Sequence, residues 1–385
     1  MRKTKDQVQK EAGLAFKENN GKGIVVAATG VGKSRIPINH AKRYYSSPSA
    51  RILLVVPTEK LRDVNWKAEF EICNAMDIYD NIERSCYVSI SKIKGKKYDF
   101  VILDEVHNIT EMNSEFFANN EVREVIGLTA TMPDNQIKLG ILNSLGLRPI
   151  YTVTVDEAVT WGLISPYKVV IVETRLDTVH KNVKAGTKQK PFMQTEFDAY
   201  QYLTKSIENL SNIPVKSSLE EKRLMLKIFE RMRFIYNLET KSQAAEFILA
   251  NIIPKEERTL IFSGSIKQAE RLNPYSYHSK SNNSNDFDAF VNKQISRLSC
   301  VNSLNEGHNL PDVDNALIAQ LNSKELNLIQ RVGRIVRYRE GHIAGIWIVV
   351  AKGTMDEVWT EKALLNFHQD NVETITFQQL KLNYT

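Results

Sequence analysis

Ile24-Val25-Val26-Ala27-Ala28-Thr29-Gly30-Val31-Gly32-Lys33-Ser34 is the stretch whose reading decides the fold. The β-branched run 24–26 reads as a buried strand, the small residues from Ala27 to Gly32 as a loop, and Lys33-Ser34 as the opening of a helix that ends near Tyr45. Such a loop points backbone N–H groups at the start of a helix, where phosphate oxygens can sit. Lys33 would then reach the β- and γ-phosphates of a nucleotide, and the Ser34 hydroxyl would ligate Mg²⁺. The pattern G-x-x-x-x-G-K-[ST] asks for glycine where this chain has Ala27. An ordinary strand-to-helix turn has the same outline, so the residues downstream decide.

Upstream, Val8, Ala12, Ala15 and Phe16 fall at helical spacing within 4–19. Downstream, short apolar strands are expected over 51–56 (ended by Pro57), 86–90, 98–103 and 125–128, with a helix over 59–70 between the first two. Strands alternating with helices imply a parallel sheet covered on both faces. The stretch 174–251 reads as long helices without strands. There Ser218-Leu219-Glu220-Glu221 predicts a capping box for a helix reaching about Leu238. Met225, Phe229, Met232 and Tyr236 form its apolar stripe. Arg223, Lys227 and Arg231 form a basic row on another face, a solvated row that could also track a phosphate backbone. A second α/β pattern follows, with strands over 258–263, 299–304, 315–320 and 343–350 and a closing helix over 355–369. The expected domains are therefore 1–172, a helical insert or linker at 173–253, and 254–385.

Bulk properties narrow the class. A chain of 385 residues is long for one core. Its 42% hydrophobic and 25% charged residues are ordinary for a folded protein. A net charge of +6, spread through both halves, suits a nucleic-acid partner without requiring one. Cys73, Cys86 and Cys300 offer neither a disulfide framework nor a CxxC pair, which favours a reducing compartment. The opening residues lack the apolar stretch of a signal peptide, and no apolar run approaches the roughly 20 residues of a membrane span. A cytoplasmic protein with no membrane partner is expected.

Two further groups carry chemistry. Asp104-Glu105-Val106-His107 follows an apolar strand, at the edge where a parallel sheet places its ligands. One carboxylate there can hold Mg²⁺ while the other orients or deprotonates a water. In the second α/β half, Gln330-Arg331-Val332-Gly333-Arg334-Ile335-Val336-Arg337 sets Arg334 and Arg337 three apart. An arginine offered to a γ-phosphate can be worth 10³–10⁵ in rate. The pair suggests a site completed at a domain cleft.

In order, these segments resemble the superfamily 2 helicases and translocases. AATGVGKS (27–34) looks like motif I, VVPT (55–58) motif Ia, DEVH (104–107) motif II, GLTAT (127–131) motif III, and QRVGRIVR (330–337) motif VI. NEGHNLP (305–311) resembles motif V, and Gln9 in VQKEA resembles the glutamine that reads adenine. The resemblance implies an α/β fold of two RecA-like domains, each a parallel sheet with helices on both faces, and an ATP site in the cleft between them. It implies ATP and Mg²⁺ as cofactors, with Gln9, Thr29, Gly30, Val31, Gly32, Lys33, Ser34, Gly307 and Asn309 holding nucleotide and Ser34 and Asp104 holding metal. Glu105 would handle the attacking water, with Lys33, Gln330, Arg334 and Arg337 completing the catalytic set. His107, Thr129 and Thr131 would couple this site to nucleic acid, which Pro57, Thr58, Ser89 and Asn302 would touch. Lys92, Lys94, Lys96 and Lys97 read instead as a solvated run on the opposite sheet edge.

Three departures stand out: Ala27 for the first loop glycine, Asn309 where motif V usually has aspartate, and Asp6 where relatives often carry a basic residue. DEVH in place of DEAD, with no aromatic ahead of Gln9, disfavours the RNA-specific DEAD-box group. The pattern is closer to compact phage and bacterial DNA helicases of the DExH type and to restriction-type translocase cores. A nucleic-acid-stimulated ATPase acting on DNA more than on RNA is expected, with accessory replication, repair or restriction proteins as further partners. Two alternatives stand beside it: a double-strand DNA translocase subunit that does not unwind, and an ATP-switched binding or remodelling clamp.

Overall fold

The structure is a computed structural model that describes every residue except 1, 46, 48, 134, 188, 279, 281–284, 302–312, 322–340, 365–366 and 385. It divides into two units, the first running from Met1 to Pro166 and the second beginning at Tyr167. The first unit contains α1 (Lys5–Glu18), β1 (Lys22–Ala27), α2 (Arg35–Tyr44), β2 (Ile52–Val56), α3 (Trp66–Ile72), α4 (Met76–Asn81) and β3 (Glu83–Cys86). It continues with β4 (Lys97–Leu103), α5 (Glu111–Asn119), β5 (Glu121–Thr129), α6 (Gln136–Ser144), β6 (Pro149–Val153) and α7 (Val155–Thr160).

Its six strands run in the order β3-β2-β4-β5-β1-β6, and every pairing is parallel. Alternation along the strands fills both faces. Leu53, Val55, Val101 and Leu103 pack with Ile90, Ile109 and Phe116 on one face. Phe100 turns to the other face and meets Phe16 of α1 at 5.9 Å between ring centroids. Thr4 caps α1 reciprocally with Gln7, and the apolar side of the helix buries Val8, Ala12 and Phe16. Because all strands are parallel, the C-terminal ends of β4, β5 and β1 emerge side by side on one edge. The third strand lies at Glu83–Cys86, earlier than the expected 86–90, and Ile90–Lys92 is instead a turn of 3₁₀-helix.

The second unit contains β7 (Tyr167–Thr174), β8 (Val183–Gly186), β9 (Pro191–Gln194), α8 (Glu196–Ser211), α9 (Ser218–Tyr236), α10 (Glu239–Asn251), β10 (Thr259–Phe262), α11 (Ile266–Leu272) and β11 (Ser276–His278). It ends with α12 (Asn285–Val291), β12 (Arg297–Val301), β13 (Asn315–Ile318), β14 (Ala344–Ala351), α13 (Met355–Leu364), β15 (Val372–Thr376) and α14 (Phe377–Tyr384). Seven strands form a parallel sheet in the order β11-β12-β10-β13-β14-β7-β15.

Several expectations for 148–253 are corrected. β7, expected to close the first domain, pairs with β14 from Tyr167 to Thr174 in the second sheet. The stretch read as strandless holds the antiparallel β8–β9 ribbon. α10, read as part of a separate insert, is a layer of the second unit: Ala244, Ala245, Ile248 and Leu249 pack on Val170, Ile261, Leu317 and Val349. The capping box of α9 is Ser217 with Glu220, one residue earlier than expected. Its apolar stripe is not core throughout, since Met225 is 51% and Phe229 46% exposed. Burial falls on the C-terminal end, where Ile235 joins Leu176, Tyr200 and Leu238.

Glu196 ties these pieces together. Its carboxylate is buried and accepts hydrogen bonds from the Asp177, Glu239 and Thr240 amides and the Thr240 hydroxyl. It thereby caps the first turn of α10 with negative charge. Glu196→Ala should destabilise the second unit by about 2 kcal/mol, since hydrogen bonds to charged groups carry ~1.5–3 kcal/mol. Thermal unfolding followed by circular dichroism checks this; an unchanged melting temperature refutes the capping role.

Candidate functional site

The loop after β1 carries positive φ at Gly30 (94°) and Gly32 (88°). At Gly32 a Cβ would also stand 2.8 Å from Gln9 Nε2, so glycine lets the α1 glutamine lie against the loop. Gln9 is buried, and its Nε2 has no hydrogen-bond partner among the described residues. The Lys33 ammonium is likewise buried without one. Ser34 is the N-cap residue of α2 and makes no side-chain capping bond, which leaves its hydroxyl available.

Asp104 and Glu105 follow β4 on the same sheet edge. The Asp104 carboxylate accepts from Trp66 Nε1 at 2.7 Å and from the Glu105 amide at 3.0 Å. Burial, reinforced by the adjacent Glu105 charge, holds the Asp104 carboxyl well above the usual carboxylate range. Glu105 adopts the left-handed conformation, φ 47° and ψ 57°, an uncommon state for a non-glycine residue of the kind that collects at functional sites. Its Oε2 is buried, has no hydrogen-bond partner among the described residues and lies 3.4 Å from His107 Nδ1. His107 Nδ1 is 3.1 Å from Thr129 Oγ1 at the end of β5, and that hydroxyl donates to the Thr131 carbonyl at 2.7 Å. His107, Thr129 and Thr131 are thus linked by hydrogen bonds across two strand ends, with the Glu105 carboxylate near the same His107 nitrogen. The Thr131 hydroxyl is buried and has no hydrogen-bond partner among the described residues.

Thr29, Gly30, Gly32, Lys33, Ser34, Asp104 and Glu105 line a single cavity of about 820 Å³. An unpartnered ammonium, an uncapped hydroxyl and two adjacent carboxylates with charge to neutralise form a donor set that fits a nucleotide phosphate with a divalent cation. Val31 is buried beneath the loop.

Pro57 and Thr58 follow β2, and Ser89 lies in the turn after β3. They are on the same sheet edge as the phosphate loop but are separated from it by β4 and β5. Lys96 and Lys97 sit at the opposite edge, paired with Glu83 (2.9 Å) and Glu121 (2.7 Å). On α9, Lys227 pairs with Glu230 and Arg231 lies against Tyr200, which divides the expected basic row. Asn302, Gly307, Asn309, Gln330, Arg334 and Arg337 lie outside the described residues.

Among the cavity residues that escaped the sequence reading, Trp66, Trp161 and Lys3 stand out. Trp66 holds Asp104, and an indole in a helix carries no mark of that role. Trp161 and Lys3 line the mouth, with Lys3 Nζ 4.5 Å from the Trp161 ring centroid. Lys3 also pairs with Glu11 at 2.7 Å, and Tyr151 donates to the same carboxylate at 2.6 Å. Lys3 first and Tyr151 second hold the Glu11 carboxyl below its ordinary range. The available signal was Trp161-Gly162, an aromatic before a glycine in a loop.

Residues 1–134 match the family model described as Type III restriction enzyme, res subunit, and residues 222–339 match the Helicase conserved C-terminal domain. The chain is 24% identical over 356 residues to the DNA 3'-5' translocase XPB2 of Sulfurisphaera tokodaii, covering 87% of this chain and 79% of that protein. The ATP-dependent Type ISP restriction-modification enzyme LlaBIII bound to DNA aligns with a TM-score of 0.61 at 15% identity. That alignment covers 98% of this chain and 31% of the enzyme, so the chain spans about a third of that enzyme's length. The Pyrococcus furiosus Hef helicase domain aligns with a TM-score of 0.57 at 14% identity, over 92% of this chain and 97% of that one. S. cerevisiae Dbp5 bound to RNA and ADP BeF3 also reaches 0.57, at 11% identity, over 98% and 91% of the two chains. At these identities the structures establish the fold, two parallel sheets of the RecA-like kind.

Proposed function

We propose that this chain, which belongs to the superfamily 2 helicases and translocases, couples its ATP hydrolysis to movement along DNA. The observation that carries the reading is the cavity in which an unpartnered Lys33 ammonium faces the Asp104–Glu105 pair. Lys33 would bind the β- and γ-phosphates, and Ser34 and Asp104 would hold Mg²⁺. When bound, the ion supplies charge neutralisation on the transferred phosphoryl group. Glu105 would orient the attacking water and accept its proton, its carboxylate kept in place by the left-handed backbone and by His107. A change of charge at Glu105 would act electrostatically on His107, whose Nδ1 meets Thr129. Gln330, Arg334 and Arg337 belong to the same reading as the groups that stabilise charge on the phosphate. DNA rather than RNA is supported by the DNA translocase relative and by DEVH in place of DEAD.

Steady-state ATPase rates with no polynucleotide, single-stranded DNA, duplex DNA, a forked duplex and RNA test the reading. DNA-selective stimulation is expected. A rate that ignores every polynucleotide would refute movement along a strand.

Trp161 and Lys3 line the same cavity as the phosphate loop, and a flat aromatic with a cation suits an adenine ring. Trp161→Ala should raise the KM for ATP about 3- to 10-fold with little change in kcat, because stacking of ~0.5–1.5 kcal/mol is made equally in ground and transition states. An unchanged KM would remove Trp161 from the nucleotide site.

A further inference from the structure

Between Asp177 and Glu196 the chain carries His180, Lys181, Lys184, Lys188 and Lys190 and no acidic residue. Most of this run is the β8–β9 ribbon, in which Lys184 pairs with Met193, Ala185 with Phe192 and Gly186 with Pro191. Gly186 has φ +86°, and a Cβ there would collide with the Lys190 carbonyl oxygen. Phe192 is 56% and Met193 47% exposed. Lys181, Lys184 and Lys190 are exposed, and no ion pair among the described residues engages them. Two other exposed lysines of this unit are paired, Lys168 with Glu373 and Lys352 with Glu173.

The base of the ribbon is firm. Asp177 Oδ1 accepts from the Val179 and His180 amides at 2.7 and 2.9 Å, and buried Glu196 accepts from the Asp177 amide. What projects from it is a two-stranded ribbon that buries little, displays an aromatic ring, and concentrates uncompensated positive charge. An isolated ribbon is marginal in water, and Phe192 is more than half exposed on it. Charge complementarity selects a polyanion, and the exposed ring selects one with free aromatic faces. Lysines with an interleaved aromatic are the recognition chemistry of single-stranded nucleic acid, where phosphates meet the cations and an unpaired base stacks.

We propose that the β8–β9 ribbon binds single-stranded nucleic acid, with Phe192 stacking on a base and Lys181, Lys184 and Lys190 contacting phosphates, Lys184 from the face opposite Phe192. The inference rests on the nucleic-acid motor reading above and adds a contact outside every helicase motif.

The test is fluorescence anisotropy of a labelled oligothymidylate and a labelled blunt duplex across a salt series, with Phe192→Ala and with the triple variant Lys181→Ala, Lys184→Ala, Lys190→Ala. All four positions are exposed, so wild-type melting temperatures are expected. The triple variant should lower the slope of log K against log salt on oligothymidylate by about 2, at ~0.7 per phosphate contact. Phe192→Ala should weaken oligothymidylate binding about tenfold and duplex binding less than twofold. Unchanged affinity and slope in both variants, with the wild type binding normally, would overturn the ribbon assignment and leave the motor reading standing. Equal losses on both probes for Phe192→Ala would overturn the single-strand assignment. A wild type that binds neither probe would overturn the motor reading and the ribbon with it.

Discussion

Replacing Lys33 by alanine is expected to lower polynucleotide-stimulated ATP turnover by about 10²–10³-fold, the usual cost of removing one preorganised group that stabilises transition-state charge. The Lys33 ammonium is buried, has no hydrogen-bond partner among the described residues, and lines the cavity with Asp104 and Glu105. A buried cation left unpaired is expensive, and a nucleotide phosphate would compensate it. Nucleotide binding should therefore weaken along with turnover. Glu105→Gln separates the two effects: turnover should fall comparably while ATP still binds, because only proton acceptance is lost. The readouts are steady-state ATPase and binding of a fluorescent ATP analogue. Near-normal turnover in Lys33→Ala would mean that catalysis does not use this loop. Near-normal turnover in Glu105→Gln would favour an ATP-switched clamp whose activity does not depend on that carboxylate.

Four strands of the first sheet, β1, β2, β4 and β5, were legible because they are short, apolar and followed by chemistry, whereas β3 is the polar Glu83-Arg84-Ser85-Cys86 and β6 was not anticipated. Once the run 24–26 is a strand and its neighbours are parallel, Lys33, Asp104 and Thr129 must emerge on one edge, and they do. Local sequence does not say which sheet a buried strand joins. Val169-Val170-Ile171-Val172 would suit either core, and only pairing with Gly345 to Val350, far along the chain, places it in the second. The ribbon was missed for the opposite reason. Val183-Lys184-Ala185-Gly186 and Pro191-Phe192-Met193-Gln194 carry almost no β-branched residues, so their pairing rests on the turn between them. Trp66 and Trp161 reach the cavity through tertiary packing that no spacing reveals.

The same limit hides the most consequential residue of the second unit. Lys241 sits on α10, where a lysine in a helical pattern reads as solvent-facing, yet its side chain is 0% exposed. Its ammonium donates to Asp356 Oδ2 and, at 2.8 Å, to Gln320 Oε1. Asp356 also accepts from Gln320 Nε2 and from the Ala351 amide, so α10, the end of β13, the end of β14 and α13 meet at this one cluster. Burial pushes the Lys241 ammonium below its ordinary pKa, and the Asp356 carboxylate opposes that shift. Removing one partner strands the other charge in the core, so Lys241→Ala should destabilise the unit by ~3–5 kcal/mol. At ~2–4 °C per kcal/mol for a unit of this size, its melting temperature should fall by roughly 6–20 °C. Replacing both charges, Lys241→Met with Asp356→Leu, should recover much of the loss, because well-packed apolar groups often substitute for a buried pair without penalty. A single variant that melts within a degree of the wild type would show that the cluster is not closed to water.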